Sequence, residues 1–141
     1  MPVLYVTRKE SFCACHRLHS SKLSDSDNER VFGKCNSLNG HGHNYVVEVT
    51  VSGEPDPTTG MLINLADLKR YIDEAFLESL DHKNIDRDVE YFSKANLTST
   101  TENLVLYMWT QLKKTLPDPK ILYEVKCWET EKNSVFYRGE L

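Results

Sequence analysis

Residues 45–52 read Tyr-Val-Val-Glu-Val-Thr-Val-Ser, an alternation of period two that puts Tyr45, Val47, Val49 and Val51 on one face and Val46, Glu48, Thr50 and Ser52 on the other. β-Branched and aromatic residues in this phase specify a strand with one buried face. A lone strand is unstable, so the rest of the chain has to supply its neighbours and its cover. Residues 3–16 read as a second extended segment, in which Leu4, Val6, Phe12, Ala14 and His16 share one parity. Ile121 to Glu129 and Val135 to Gly139 read as two further strands. For cover, Asn64 caps a first helix whose stripe of Leu65, Leu68, Ile72, Ala75, Phe76 and Leu80 opposes a charged face. Ser99 with Glu102 three residues on reads as a capping box, opening a second helix to about Leu116 that Pro117 and Pro119 stop. The Ser-, Asp- and Asn-rich stretch from Leu18 to Lys34 reads as a loop, and Gly53 to Gly60 as a turn.

The order ββααββ predicts one α+β domain over residues 1–141, with two helices on one face of a four-stranded antiparallel sheet. Its other face would carry Val46, Thr50, Leu122 and Trp128 among Glu48 and Lys126, too apolar for plain exposure, and an open sheet leaves unpaired edges. Assembly of several copies into a closed β-barrel would cover both. A net charge of -4 with scattered Lys and Arg leaves no footprint for nucleic acid. Charge comes too soon after the first residues for a secretory segment, and the longest apolar run, Leu104 to Trp109, is short of a membrane span. Four cysteines on such a chain are expected to be thiols, which points to the cytoplasm.

Chemistry concentrates in Cys35-Asn36-Ser37-Leu38-Asn39-Gly40-His41-Gly42-His43. If the central strand reaches back through His43, His41 and His43 share a face about 6.6 Å apart and can converge on one cation. Gly40 and Gly42 then remove side chains that would crowd it. His16, facing the core side with Phe12 and Ala14, is one candidate for a third ligand. Three histidines would leave zinc an open position, as catalysis needs. The rival set is Cys13 and Cys15 with His41 and His43, a closed structural zinc site, although strand alternation turns those thiols away from His16. His19 reads as a surface residue.

S-F-x-A-x-H-R-L at 11–18, G-K-C-N-x-x-N-G-H-G-H-N-Y at 33–45, L-D-H-K-N at 80–84, S-T-T-E-N at 99–103 and W-E-T at 128–130 together resemble the 6-pyruvoyltetrahydropterin synthase family over nearly the whole chain. The resemblance implies the tunnelling fold, with trimeric barrels stacked into a homohexamer. It implies a zinc-dependent lyase that converts 7,8-dihydroneopterin triphosphate to 6-pyruvoyl-tetrahydropterin with loss of triphosphate, in tetrahydrobiopterin synthesis. Matched residue by residue, His16, His41 and His43 become the zinc ligands. Cys35 becomes the general base, whose thiolate a neighbouring dication would favour. Asp81 and His82 become a proton-relay pair reaching in from another subunit, and Glu129 the carboxylate that anchors the pterin. Thr100, Thr101 and Glu102 would line the pterin pocket. Cys13, Cys15 and Cys127 stay structural; the family carries smaller or hydroxyl residues at the first two.

Two alternatives stand beside this. The sister activity, 6-carboxytetrahydropterin synthase, uses the same substrate, but its base cysteine typically precedes the H-x-H by three residues, and five lie between Cys35 and His41 here. A non-catalytic metal- or pterin-binding domain would need neither base nor relay.

Overall fold

The computed structural model describes residues 1–141. Strand β1 (Leu4–His16) leads through helix α1 (Asp25–Phe32) and a 3₁₀ turn (Gly33–Asn36) into strand β2 (His41–Gly53). Helix α2 (Leu65–Ile72) continues through a π turn (Asp73–Leu77) into α3 (Glu78–Leu80), followed by the two-residue strand β3 (Lys83–Asn84). Short helices α4 (Ile85–Asp88) and α5 (Glu90–Ser93) precede the long α6 (Thr101–Thr115). Strands β4 (Leu122–Trp128) and β5 (Ser134–Tyr137) end the fold. No helix is long and apolar enough to cross a membrane.

The α+β class and the two main helical segments match the sequence pattern, but the sheet has five strands in the order β3-β1-β2-β4-β5, not four. It is also mixed, because β3 runs parallel to β1, pairing Ala14 with Lys83 and Cys15 with Asn84. Two residues directly after a helix carry no alternation to reveal them. β3 covers only the last turn of β1, so the outer edge of β1 from Leu4 to Phe12 has no partner strand within the chain.

The expected loop between Leu18 and Lys34 contains α1. Its Ser and Asp residues, which read as loop formers, act as caps: Ser24 Oγ accepts from the Asp27 amide at 3.1 Å, and Asp25 and Asp27 sit at the positive end of the helix. Buried Asn28 ties the helix back, accepting from the Ser20 amide at 2.8 Å and donating to the Ser20 carbonyl at 3.0 Å.

The core lies between the sheet and the helices. Tyr45, Val47, Val49 and Val51 are all fully buried against Leu68, Ile72, Phe76, Leu104, Met108 and Leu112. A register shift between Thr50 and Val51 changes the phase at the start of β4. Leu122 therefore joins the core, correcting its expected place on the outer face, while Tyr123 turns outward to meet Tyr5 edge-on at 4.7 Å. Elsewhere the outer face pairs its polar groups across strands. Thr7 and Thr50 share a hydroxyl hydrogen bond of 2.7 Å, and Trp128 Nε1 donates to Glu48 Oε2 at 3.0 Å with Lys126 above its ring.

Candidate metal centre

The antiparallel register of β1 and β2 pairs His16 directly with His41 and Ala14 with His43. All three imidazoles therefore emerge on the core side at one end of the sheet, just beyond the stacked pair Phe12 and Tyr45. Their centroids stand 4.7, 4.9 and 5.3 Å apart, and one nitrogen from each lies within 4.8 Å of the others. His16 Nε2 faces His41 Nε2 at 3.1 Å. His41 Nδ1 and His43 Nε2 are buried without a hydrogen-bond partner, the latter although Glu129 Oε1 approaches to 3.0 Å. Three imidazoles with one nitrogen each so close together, and a buried His43 Nε2 left without a hydrogen bond, fit a cation. Burial, above all, pushes the pKa values of His16 and His43 below the usual histidine range, opposed at His16 chiefly by the hydrogen bond to the Ser99 carbonyl and at His43 by Glu129, which favours the neutral rings that have a lone pair to offer.

The rival set does not form. Cys13 and Cys15 lie on the opposite face of β1, and no group of three ligands includes either. All four cysteines are free thiols. Cys127 is buried beneath Glu129, and burial raises its thiol to about 12, in keeping with a packing role. The glycines act differently from expectation. A Cβ on Gly40, whose φ is +75°, would sit 2.9 Å from the His16 carbonyl oxygen, so glycine there lets the loop pass the strand end. Gly42 faces away from the histidines, beside Cys15, and so leaves the cation space untouched.

Cys35 sits in the 3₁₀ turn between α1 and β2, half-buried. Its carbonyl accepts from the Leu18 amide at 2.9 Å, Arg17 Nε donates to the Asn36 carbonyl at 2.9 Å, and Asn36 Nδ2 donates to the Leu18 carbonyl at 2.7 Å. The turn is thus laced to the two residues that follow His16. His19, expected at the surface, is half-buried with Nδ1 3.0 Å from Asn36 Nδ2.

Glu129 lies one residue beyond β4. Its Oε2 accepts a short hydrogen bond from Thr101 Oγ1 at the first residue of α6. Thr101, Glu102 and Glu129 line a cavity of about 180 Å³ with Thr130, Asn133 and Ser134. Thr100 does not line it: Thr100, and not Ser99, is the helix cap, its hydroxyl accepting from the Asn103 amide at 3.3 Å. Ser99 is instead fully buried, and its carbonyl accepts from His16 Nδ1 at 2.8 Å. A main-chain carbonyl leaves no mark in a sequence, which is why this partner of His16 was not foreseen.

Asp81 and His82 stand apart, at the β3 edge. Asp81 Oδ1 accepts from the Cys13 amide at 3.0 Å, and the His82 amide donates to the Cys13 carbonyl at 2.6 Å. Chiefly through the Cys13 amide, the Asp81 carboxyl is held below its usual range, and its Oδ2 lies 3.1 Å from His82 Nδ1. His82 adopts φ +63°, uncommon for a non-glycine residue, with its side chain 81% exposed.

The sequence model described as 6-pyruvoyl tetrahydropterin synthase matches residues 5–140. The human 6-pyruvoyl tetrahydrobiopterin synthase is 58% identical over 135 residues, covering 96% of this chain and 91% of its own. The Drosophila melanogaster protein of the same name is 56% identical over 138 residues, 98% and 81% of the two chains. Among solved structures, 6-pyruvoyl tetrahydropterin synthase from Caenorhabditis elegans superposes with a TM-score of 0.95 at 48% identity, over 99% of this chain and 98% of that one. Likeness of this extent, spanning every element that carries the histidines, Cys35, the Asp81-His82 pair and Glu129, shows that the chain belongs to the 6-pyruvoyl tetrahydropterin synthase family.

Proposed function

We propose that the protein is a zinc-dependent lyase converting 7,8-dihydroneopterin triphosphate to 6-pyruvoyl-tetrahydropterin with elimination of triphosphate, a step of tetrahydrobiopterin synthesis. The observation that carries this reading is the Glu129 carboxylate 3.0 Å from His43 in the three-histidine cluster. A pterin ring held on Glu129 would have its hydroxylated side chain beside the cluster. Tetrahedral zinc with bonds of about 2.0–2.1 Å sets its ligand nitrogens roughly 3.3–3.4 Å apart, close to the 3.1 Å between the His16 and His41 Nε2 atoms. Bound there, zinc would supply Lewis acidity to the substrate's side-chain hydroxyls.

The chain's own residues do the rest. Glu129 accepts two hydrogen bonds from the amino and ring N–H groups of the pterin, and Thr101 holds the carboxylate in place. Cys35, as general base, removes protons from the side-chain carbons, and Asp81 with His82 relays protons. The exposed relay pair and the small cavity beside Glu129 support an active site completed by a neighbouring copy, and the bare β1 edge supports a hexamer of two stacked barrels. The same proposal takes residues 1–141 as one domain and, on the four free thiols, the cytoplasm as its compartment.

Incubating zinc-loaded protein with dihydroneopterin triphosphate tests the reading through released triphosphate and the mass of the pterin product. Cys35→Ala should retain metal and bind the dihydropterin while turnover falls about 10²- to 10⁴-fold, as for loss of a general base. A carboxy product, or a Cys35→Ala enzyme as fast as wild type, would overturn it.

A further inference from the structure

His16 is 1% exposed and ends β1, where only one of its two nitrogens can serve a metal. Its Nδ1 lies 2.8 Å from the Ser99 carbonyl oxygen, with Ser99 Oγ at 3.3 Å. A carbonyl only accepts, so Nδ1 carries the hydrogen, and in the neutral ring Nε2 keeps the lone pair. Nε2 is the nitrogen that faces His41. The aim of His16 thus depends on where the Ser99 carbonyl is held.

Ser99 lies between two residues that both bond to Asn103, Thr98 to its carboxamide and Thr100 to its main-chain amide. Asn103 Nδ2 donates to the Thr98 carbonyl at 2.8 Å and approaches Thr98 Oγ1 at 3.3 Å. The Asn103 amide donates to Thr100 Oγ1 at 3.3 Å. Residues 98–100 therefore cannot shift along the strand end without breaking bonds to Asn103.

We propose that Asn103 is a positioning residue for the metal site: its carboxamide fixes the Ser99 carbonyl on His16 Nδ1 and so holds His16 Nε2 as the ligand atom. This rests on the reading that the three histidines bind a divalent metal. Partners that orient a ligating histidine typically change metal affinity about 10- to 100-fold when lost. Asn103 acts one bond further out, so the lower end applies.

Asn103→Asp is the decisive variant. It keeps the shape and removes both side-chain donors. An acid at the third helical position suits α6 and offsets part of the lost hydrogen bond to the Thr98 carbonyl, so the fold should survive, and a purely structural role predicts lower stability with zinc affinity unchanged. Zinc affinity is measured on the purified protein by competition with a chelator. The ring ¹⁵N shifts of labelled, metal-free protein report the His16 tautomer. The expected result is about tenfold weaker zinc binding in a protein that still unfolds cooperatively, and a wild-type Nδ1–H tautomer that becomes mixed in the variant. Zinc affinity within about twofold of wild type, or an Nε2–H tautomer in wild type, would overturn the inference. So would a loss of affinity that appears only with general unfolding. If wild-type protein binds no zinc the catalytic reading fails, and the tautomer measurement still decides the role of Asn103.

Discussion

Thr101→Val isolates one hydrogen bond of the site. Thr101 is 6% exposed, and its hydroxyl donates to a Glu129 carboxylate oxygen whose twin lies beside His43. Valine keeps the branched shape and replaces the hydroxyl with a methyl group, and the two residues have nearly the same helix propensity. A hydrogen bond to a charged acceptor contributes about 1.5–3 kcal/mol. The Glu129 side chain retains 25% exposure, so water can reach the freed oxygen, and the expected loss is at the lower end, about 1.5 kcal/mol. That is roughly a tenfold change in the folding equilibrium constant. Urea unfolding of wild type, Thr101→Val, Glu129→Gln and the double variant, metal-free and at one subunit concentration, gives the coupling directly. The two single effects should be non-additive by about 1 kcal/mol, and dihydropterin affinity should fall in Thr101→Val. An unchanged stability, or an additive cycle, would show that the hydroxyl does not hold this carboxylate.

His41→Ala or His43→Ala should leave well below one zinc per chain by metal analysis, with turnover abolished; full occupancy would place the metal elsewhere. Mixing inactive Cys35→Ala and His82→Ala proteins under subunit exchange should restore part of the activity, because an intact site then combines one residue from each. No recovery despite confirmed exchange would put both residues in one subunit's site. The metal-free protein should lose stability as pH falls below about 6.5. Above that value His16 and His43 are neutral in both states; below it the unfolded chain binds protons that the folded chain, with its lowered pKa values, refuses. Each histidine adds up to about 1.4 kcal/mol per pH unit of slope, and urea midpoints across this range should flatten when His16 is replaced by Asn.

The parts of this molecule legible in its sequence are those written in side-chain periodicity. Tyr45 to Val51 announced a half-buried strand, and the stripe from Leu65 to Leu80 announced a helix, because burial acts on alternate or every third and fourth residue. The π turn inside that helix stayed hidden, since the stripe reads equally well without it. Short elements carry too few residues for a period, so β3, α4 and α5 were missed, while α1 was hidden by the Ser and Asp residues that read as loop formers. The phase change at Thr50 and Val51, which moved Leu122 inward, depends on strand pairing that one strand alone does not encode. For the site, parity placed His16, His41 and His43 on one side, while their meeting required the register of β1 against β2. Ser99 acts through its main-chain carbonyl, where residue type says little, and the side chain of Asn103 acts on the main chain of Thr98, a target that leaves no mark in the sequence.

The unpaired edge of β1 from Leu4 to Phe12 bears on how the protein comes to exist at all. A newly folded chain presents a nine-residue edge on which alternate residues leave their backbone donors and acceptors open, with Leu4 and Tyr5 exposed beside them. In the proposed assembly, docking between copies and clumping would compete for the same ribbon, and both would accelerate with concentration. Refolding from denaturant should give its best yield at an intermediate dilution, falling away on the concentrated side as aggregates form and on the dilute side as partners fail to meet. A lysine introduced at Tyr5 would push that optimum toward higher concentration.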